Sequence, residues 1–101
     1  MSEHGNSHQN QNPYHLYGIF ERETTDVLKY GITDDPIEED GLPRRARTQL
    51  RWANLAAGFI KFFVRILLSN IPGRKEAERI EREFIEEHKQ QNGHRPPGNL
   101  R

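Results

Sequence analysis

The chain of 101 residues has no cysteine, which excludes a disulfide framework, a thiolate metal site and a thiol nucleophile. It has little to bury, since apolar residues make up 33% of it, enough for one small core. It lacks a long apolar run. The longest, Phe62 to Leu68, is interrupted by Arg65 and falls far short of the roughly 20 residues that a membrane span requires, so no membrane association is expected. Met1 to Asn12 has neither the basic start nor the apolar stretch of a secretory signal peptide, and a cytoplasmic location is expected unless the chain is delivered by another route.

Net charge is absent too: 15 Lys and Arg balance 15 Asp and Glu. Taken alone, that balance argues against a nucleic-acid binder, because phosphate contacts require an excess of cations. The charges are sorted, however. Between Gly41 and Lys75 no acid occurs, while Arg44, Arg45, Arg47, Arg51, Lys61, Arg65, Arg74 and Lys75 supply eight positive charges. Between Glu21 and Asp40 eight acids face only Arg22 and Lys29. Such a chain either pairs its blocks across the fold or presents a basic face despite its neutral sum.

The polar segment 1–12, without an apolar residue after Met1, reads as a disordered tail, leaving 13–101 as a single domain. Tyr14 to Phe20 and Val27 to Thr33 are rich in aromatic and β-branched residues and read as a hairpin. Asp34 to Asp40, containing Pro36, reads as an exposed, solvated connection. Leu42-Pro43 opens a helix in which Ala46, Leu50, Ala53 and Ala57 recur at helical spacing, and Gly58 closes it. Phe59 to Leu68 reads as a third, largely buried strand, and Ser69 to Gly73 as a turn. Arg74 to Gln91 is a second helix whose Ala77, Ile80, Phe84 and His88 share a face, stopped by Gly93. Arg95 to Asn99, with two prolines, should pack as an extended segment. The expected class is α+β, in the order β-β-α-β-α, with a three-stranded antiparallel sheet flanked by helices.

Two aromatic-glycine pairs, Tyr17-Gly18 and Tyr30-Gly31, fall in the two hairpin strands. Glycine in a strand marks either a bulge or a place where a ligand or another backbone comes close. The element order and these pairs resemble the GIY-YIG nuclease family. His15-Leu16-Tyr17 aligns with its first motif and Lys29-Tyr30-Gly31 with its second, with His15 in place of the first glycine and Lys29 in place of the second tyrosine. The resemblance places the family's essential helix arginine at Arg45, with Arg44 as second choice. Gln49 stands where a His or Tyr is usual. Glu81, in Glu81-Arg82-Glu83-Phe84-Ile85, corresponds to the metal-binding glutamate, and Asn99, after Pro96-Pro97-Gly98, to the closing asparagine. The closing segment is also similar to that of GIY-YIG toxin domains of bacterial polymorphic toxins, which implies delivery into a target cell and neutralisation by an immunity protein.

What the resemblance implies is a divalent-metal-dependent endonuclease acting on phosphodiesters, in DNA rather than RNA. The chemistry is coherent. A carboxylate such as Glu81 suits Mg²⁺ or Mn²⁺, Arg45 can grip a phosphate in a bidentate fork, and Tyr17 can act as a base if a cation lowers its pKa. Lys29 and Tyr30 are candidates for orienting or protonating groups. Lys29, Arg44, Arg47 and Arg51 are the candidate nucleic-acid contacts. Trp52, Phe59, Phe62 and Phe63 are either core residues or base-stacking groups. Two other readings stay open: a module of the same fold that binds nucleic acid without cutting it, and a protein-interaction domain that uses the acidic loop.

Overall fold

Tyr14, Leu16, Tyr17 and Ile19 are almost free of solvent, because their strand lies in the middle of the sheet. In the computed structural model, which describes residues 10–99, this strand is β1 (Pro13–Glu21), and β2 (Val27–Thr33) and β3 (Phe62–Pro72) pair antiparallel on either side of it. A strand buried on both faces reads as a nearly continuous apolar run, and the segment Tyr14–Phe20 is one.

The alternation of β1 splits the core in two. Tyr14 and Leu16 join Ile71 and Ala77 in one cluster, with Ile80 and Phe84 packed against it. Tyr17 and Ile19 join Ala46 in the other, with Leu50, Val64 and Ile66 around it. The first cluster is covered by α2 (Arg74–Asn92), the second by α1 (Arg44–Ala57). The α+β class, the β-β-α-β-α order and the antiparallel three-stranded sheet therefore stand as expected. Among the described residues no helix is long and apolar enough to cross a membrane.

Helix α1 starts after Pro43 and stops at Gly58, whose φ of 83° returns its N–H to Asn54 and Leu55 carbonyls. That left-handed stop is what glycine makes cheap. The following strand begins three residues later than the sequence suggests. The Asn54 side chain accepts the N–H groups of Lys61 and Phe62 at 2.9 and 2.8 Å, tying the strand's start to α1 and leaving Phe59 and Ile60 exposed in the link. At the other end the segment expected as a turn, Ser69 to Gly73, mostly continues the strand. Asn70 takes a φ of 57° within an irregular stretch of the β1–β3 pairing, and its N–H is accepted by His15 Nδ1 at 3.2 Å. A bulge accommodates the turn-like residues without ending the ladder. Because β3 is an edge strand, it is half-buried rather than largely buried.

Three further expectations change. The polar segment 1–12 is not uniformly a tail. Residues 1–9 lie outside the described residues, but Asn10 is buried, its carbonyl accepts the Arg74 N–H at the start of α2, and its side chain donates to Tyr14 and Asp34. The acidic connection is not merely solvated either. Asp35 accepts the Arg45 backbone N–H at 3.0 Å, and Asp40 and Glu38 both engage Arg47. The proline-rich end closes as one 3-10 turn, Pro97–Asn99, rather than an extended segment.

Candidate functional site

The hairpin register sets Tyr17 directly opposite Gly31. A Cβ on residue 31 would lie 2.5 Å from both Cζ and the hydroxyl oxygen of Tyr17, so the phenol lies across the bare Cα of Gly31. The second-motif glycine is thus explained by close approach of a side chain. Gly18 plays a parallel part: a Cβ there would lie 2.6 Å from the Phe20 ring.

Tyr17 opens onto a cleft of about 350 Å³ that draws on every element except β3. Lys29, Tyr30 and Gly31 come from β2, Asp34 and Asp35 from the loop after it, Arg45 and Gln49 from α1, Glu78 and Glu81 from α2, and Asn99 from the closing turn. Arg45 and Gln49 are four residues apart and therefore share a helix face. The Asp35 carboxylate on the Arg45 N–H holds the first turn of α1 against the cleft, a partner for one of the donors that a helix start leaves unpaired.

The Tyr17 hydroxyl donates to Gln49 Oε1 at 2.5 Å. Its pKa is pushed up to about 12, mainly by burial, with Glu81 and Asp35 adding to the rise and Arg45 opposing it. The Arg45 guanidinium alone therefore does not make Tyr17 acidic, and the phenol stays protonated at neutral pH. Glu81 likewise holds its proton more tightly than an ordinary glutamate, first because it is buried; Glu78 adds to this, while Lys29, Arg74 and Arg45 counteract it. Lys29 is shifted down, by burial and by Arg45, against the pull of Glu81. Tyr17, Lys29, Arg45 and Glu81 thus feel one another's charge, a pattern characteristic of functional clefts.

Tyr30 and Lys29 divide the second motif between them. The Tyr30 ring packs edge-on against Phe84, 5.4 Å between centroids, and its pKa is raised by burial and then by Glu87 rather than Glu81. Lys29, which the GIY-YIG resemblance sets in place of a tyrosine, is the side chain that shares charge with Arg45 and Glu81. What the cleft uses of Tyr30 is its peptide. Asn99 Oδ1 accepts the Tyr30 N–H at 2.7 Å and Asn99 Nδ2 donates to the Tyr30 carbonyl at 2.9 Å. This side-chain amide replaces a neighbouring strand along the free edge of β2 and pins the closing turn to the cleft.

The expected nucleic-acid contacts separate. Lys29 lines the cleft. Arg44 and Arg51 are exposed on α1 outside it and form no ion pair among the described residues. Arg47 does not present a free charge, because the loop carboxylates of Glu38 and Asp40 hold its guanidinium, the latter at 2.8 Å. Sequence reasoning also missed Asp35, which neither spacing nor composition distinguishes from its acidic neighbours.

The donor set fits one kind of metal binding. Among the described residues no group of three His, Cys, Asp or Glu side chains is placed to hold an ion, whereas Glu81 offers a half-buried carboxylate that makes no hydrogen bond or ion pair among those residues. A Mg²⁺-like ion bound through a single carboxylate takes the rest of its shell from water and substrate phosphate, and Glu81 beside Arg45 suits that arrangement.

Comparison with curated proteins and with solved structures returned no match. Residues 7–93 match the family model described as URI fold toxin 2, a span covering both helices and all three strands. By that match the chain belongs to the URI fold toxin 2 family.

Proposed function

We propose that this domain is a toxin effector that hydrolyses nucleic-acid phosphodiester bonds, DNA before RNA, with a divalent cation. The observation that carries the reading is the convergence of Tyr17, Lys29, Arg45, Gln49, Glu81 and Asn99 on one cleft. They come from five separate parts of the chain and stand in the order of the GIY-YIG motifs. The URI fold of the matching family is a nuclease-like fold, which points the same way. Membership of a toxin family supports delivery into a target cell and neutralisation by an immunity protein.

In this reading Arg45 grips the phosphoryl oxygens, which a planar guanidinium does with two parallel hydrogen bonds. Glu81 would hold Mg²⁺ or Mn²⁺, whose contribution is positive charge against the oxygens that become more negative in the transition state. Tyr17, its hydroxyl fixed by Gln49, orients and deprotonates the attacking water. Its raised pKa means that it reaches the phenolate only when cationic charge beyond Arg45 enters the cleft. Lys29, a half-buried cation that loses its proton more easily than an exposed lysine, protonates the leaving oxygen. Asn99 positions β2 rather than touching the substrate.

One observation favours a second reading. With Tyr17 donating to Gln49 and its pKa pushed up to about 12, the cleft equally suits a module that binds phosphate and never cuts. Incubating supercoiled plasmid with Mg²⁺ or Mn²⁺ separates the two. Nicking by the wild type that Glu81→Ala and Arg45→Ala both abolish, in folded preparations, supports the hydrolase. Retained DNA binding without cleavage in either metal assigns the domain to the binding module.

A further inference from the structure

The aromatic residues of the chain divide sharply. Phe62 packs with the α1-side core and Phe63 stacks on Phe20 at 5.5 Å between centroids. Trp52, the only tryptophan of the chain, is 65% exposed, and Phe59 is 62% exposed. Leu55 and Ile60 are exposed as well, and a group of large apolar side chains left in water at one end of α1 calls for a partner.

Helix geometry says where that partner lies. Arg45, Gln49 and Trp52 are spaced i, i+4 and i+7 and so form one line along α1, while Ala46 and Leu50 face the core. Arg45 and Gln49 line the cleft. Trp52 continues their line outward, about one helical turn past Gln49 and roughly 10 Å from Arg45 along the axis. Arg51 and Arg44, seven residues apart, share a neighbouring line about 100° round the helix, both without an ion pair among the described residues. Helix α1 itself carries no acidic residue.

We infer that Trp52 is a stacking platform for an unpaired nucleobase of the strand whose phosphate is held at Arg45, with Arg51 contacting the adjoining backbone. The inference rests on the proposed nucleic-acid reading of the cleft and adds a substrate preference: single-stranded or locally opened nucleic acid over intact duplex. An indole stacks on any base, because every base has a π-face, so the platform selects for an unpaired base rather than for sequence. Arg51 adds charge that is sequence-independent in the same way.

The lone tryptophan makes the test direct. The protein is titrated in EDTA with a short oligothymidylate and with a blunt duplex of equal length, while Trp52 emission and the anisotropy of a labelled oligonucleotide are read together. Saturable quenching is expected with the single strand. Trp52→Ala should weaken its binding by roughly 5- to 100-fold, and Trp52→Phe should restore most of the loss. The slope of log affinity against log salt should stay unchanged, because indole releases no counterion, whereas Arg51→Ala should make it shallower.

Binding seen by anisotropy without quenching, or a Trp52→Ala protein that binds and cuts like wild type, overturns the platform and leaves the hydrolase reading intact. Equal binding of the blunt duplex refutes the preference for unpaired bases. Absence of any binding at low salt overturns the platform and the nucleic-acid reading together.

Discussion

Replacing Gly31 by alanine adds one methyl group, and in an ordinary strand that change is favourable, by about 0.5–1 kcal/mol, because alanine has less backbone freedom to lose. Here the sign should reverse. The added Cβ would sit 2.5 Å from Cζ and the hydroxyl of Tyr17 and 2.9 Å from its Cε2, about 1 Å inside van der Waals contact. Tyr17 has little room to yield: it is fully buried, packs against Ile19 and Ala46, and is held at its far end by Gln49. Overpacking of this kind costs about 1–3 kcal/mol, and a shift near 1 Å at a reacting group costs on the order of 100-fold in rate. Gly31→Ala should therefore lower the urea midpoint and reduce plasmid nicking together. In Tyr17→Ala, where the ring is gone, the same substitution should cost far less stability. A Gly31→Ala protein with unchanged midpoint and unchanged nicking would refute the argument that the second-motif glycine exists to seat the tyrosine.

Asn99→Ala removes both hydrogen bonds to the Tyr30 peptide and should cost about 1–3 kcal/mol, with faster hydrogen exchange at the Tyr30 amide; slow exchange there in the variant would show that the closing turn does not need the side chain. Glu81→Gln should lower the cleavage rate by roughly 100- to 1000-fold while raising the melting temperature, because burial disfavours the charged form of Glu81; a lower melting temperature would contradict that. His15 is buried, its pKa is lowered from 6.5 by that burial, and its Nδ1 accepts the Asn70 N–H. The unfolded chain then takes up the proton more readily than the fold, so the His15 contribution to stability is present above about pH 6.5 and is lost as pH falls below it. Denaturant midpoints in a Glu81→Gln background, free of the opposite slope from Glu81, should show this fall, and His15→Gln should flatten it.

Much of the fold was readable because its signals are local. The hairpin strands are dense in aromatic and β-branched residues, α1 and α2 carry helical periodicity between a proline start and glycine stops, and the structure returns them within a residue or two. The misread parts depend on distant partners. Strand β3 starts where Asn54 anchors it and runs past Asn70 because His15 secures the bulge. Asn10 is buried because the start of α2 needs an acceptor, and a polar composition conceals that demand. The same holds in the cleft. Motif order points to Tyr17, Arg45 and Glu81, which the fold brings to one cleft, but the different surroundings of Lys29 and Tyr30 follow from strand parity, which sends successive side chains to opposite faces.

Charge is the clearest case of a question that composition poses and only three dimensions answer. A neutral chain sorted into blocks either cancels itself on folding or keeps a basic face. Of the eight cations from Gly41 to Lys75, only Arg47 and Arg74 are held in ion pairs among the described residues. Lys61 and Arg65 lie over the rings of Phe62 and Phe63, while Arg44 and Arg51 are exposed on α1 and Arg45 meets the Tyr17 hydroxyl. The acids are spent elsewhere: Glu38 and Asp40 on Arg47, Asp35 on the helix start, and Glu76 and Glu83 on Arg79. The fold thus pairs Glu38 and Asp40 with one arginine and leaves Arg44 and Arg51 on α1 without an ion pair among the described residues, beside a cleft lined by Lys29 and Arg45 as well as by carboxylates. A zero sum of charge therefore does not by itself decide the proposed phosphate substrate, because the potential that such a substrate would meet is set by the charges within a few angstroms of the cleft and not by the total.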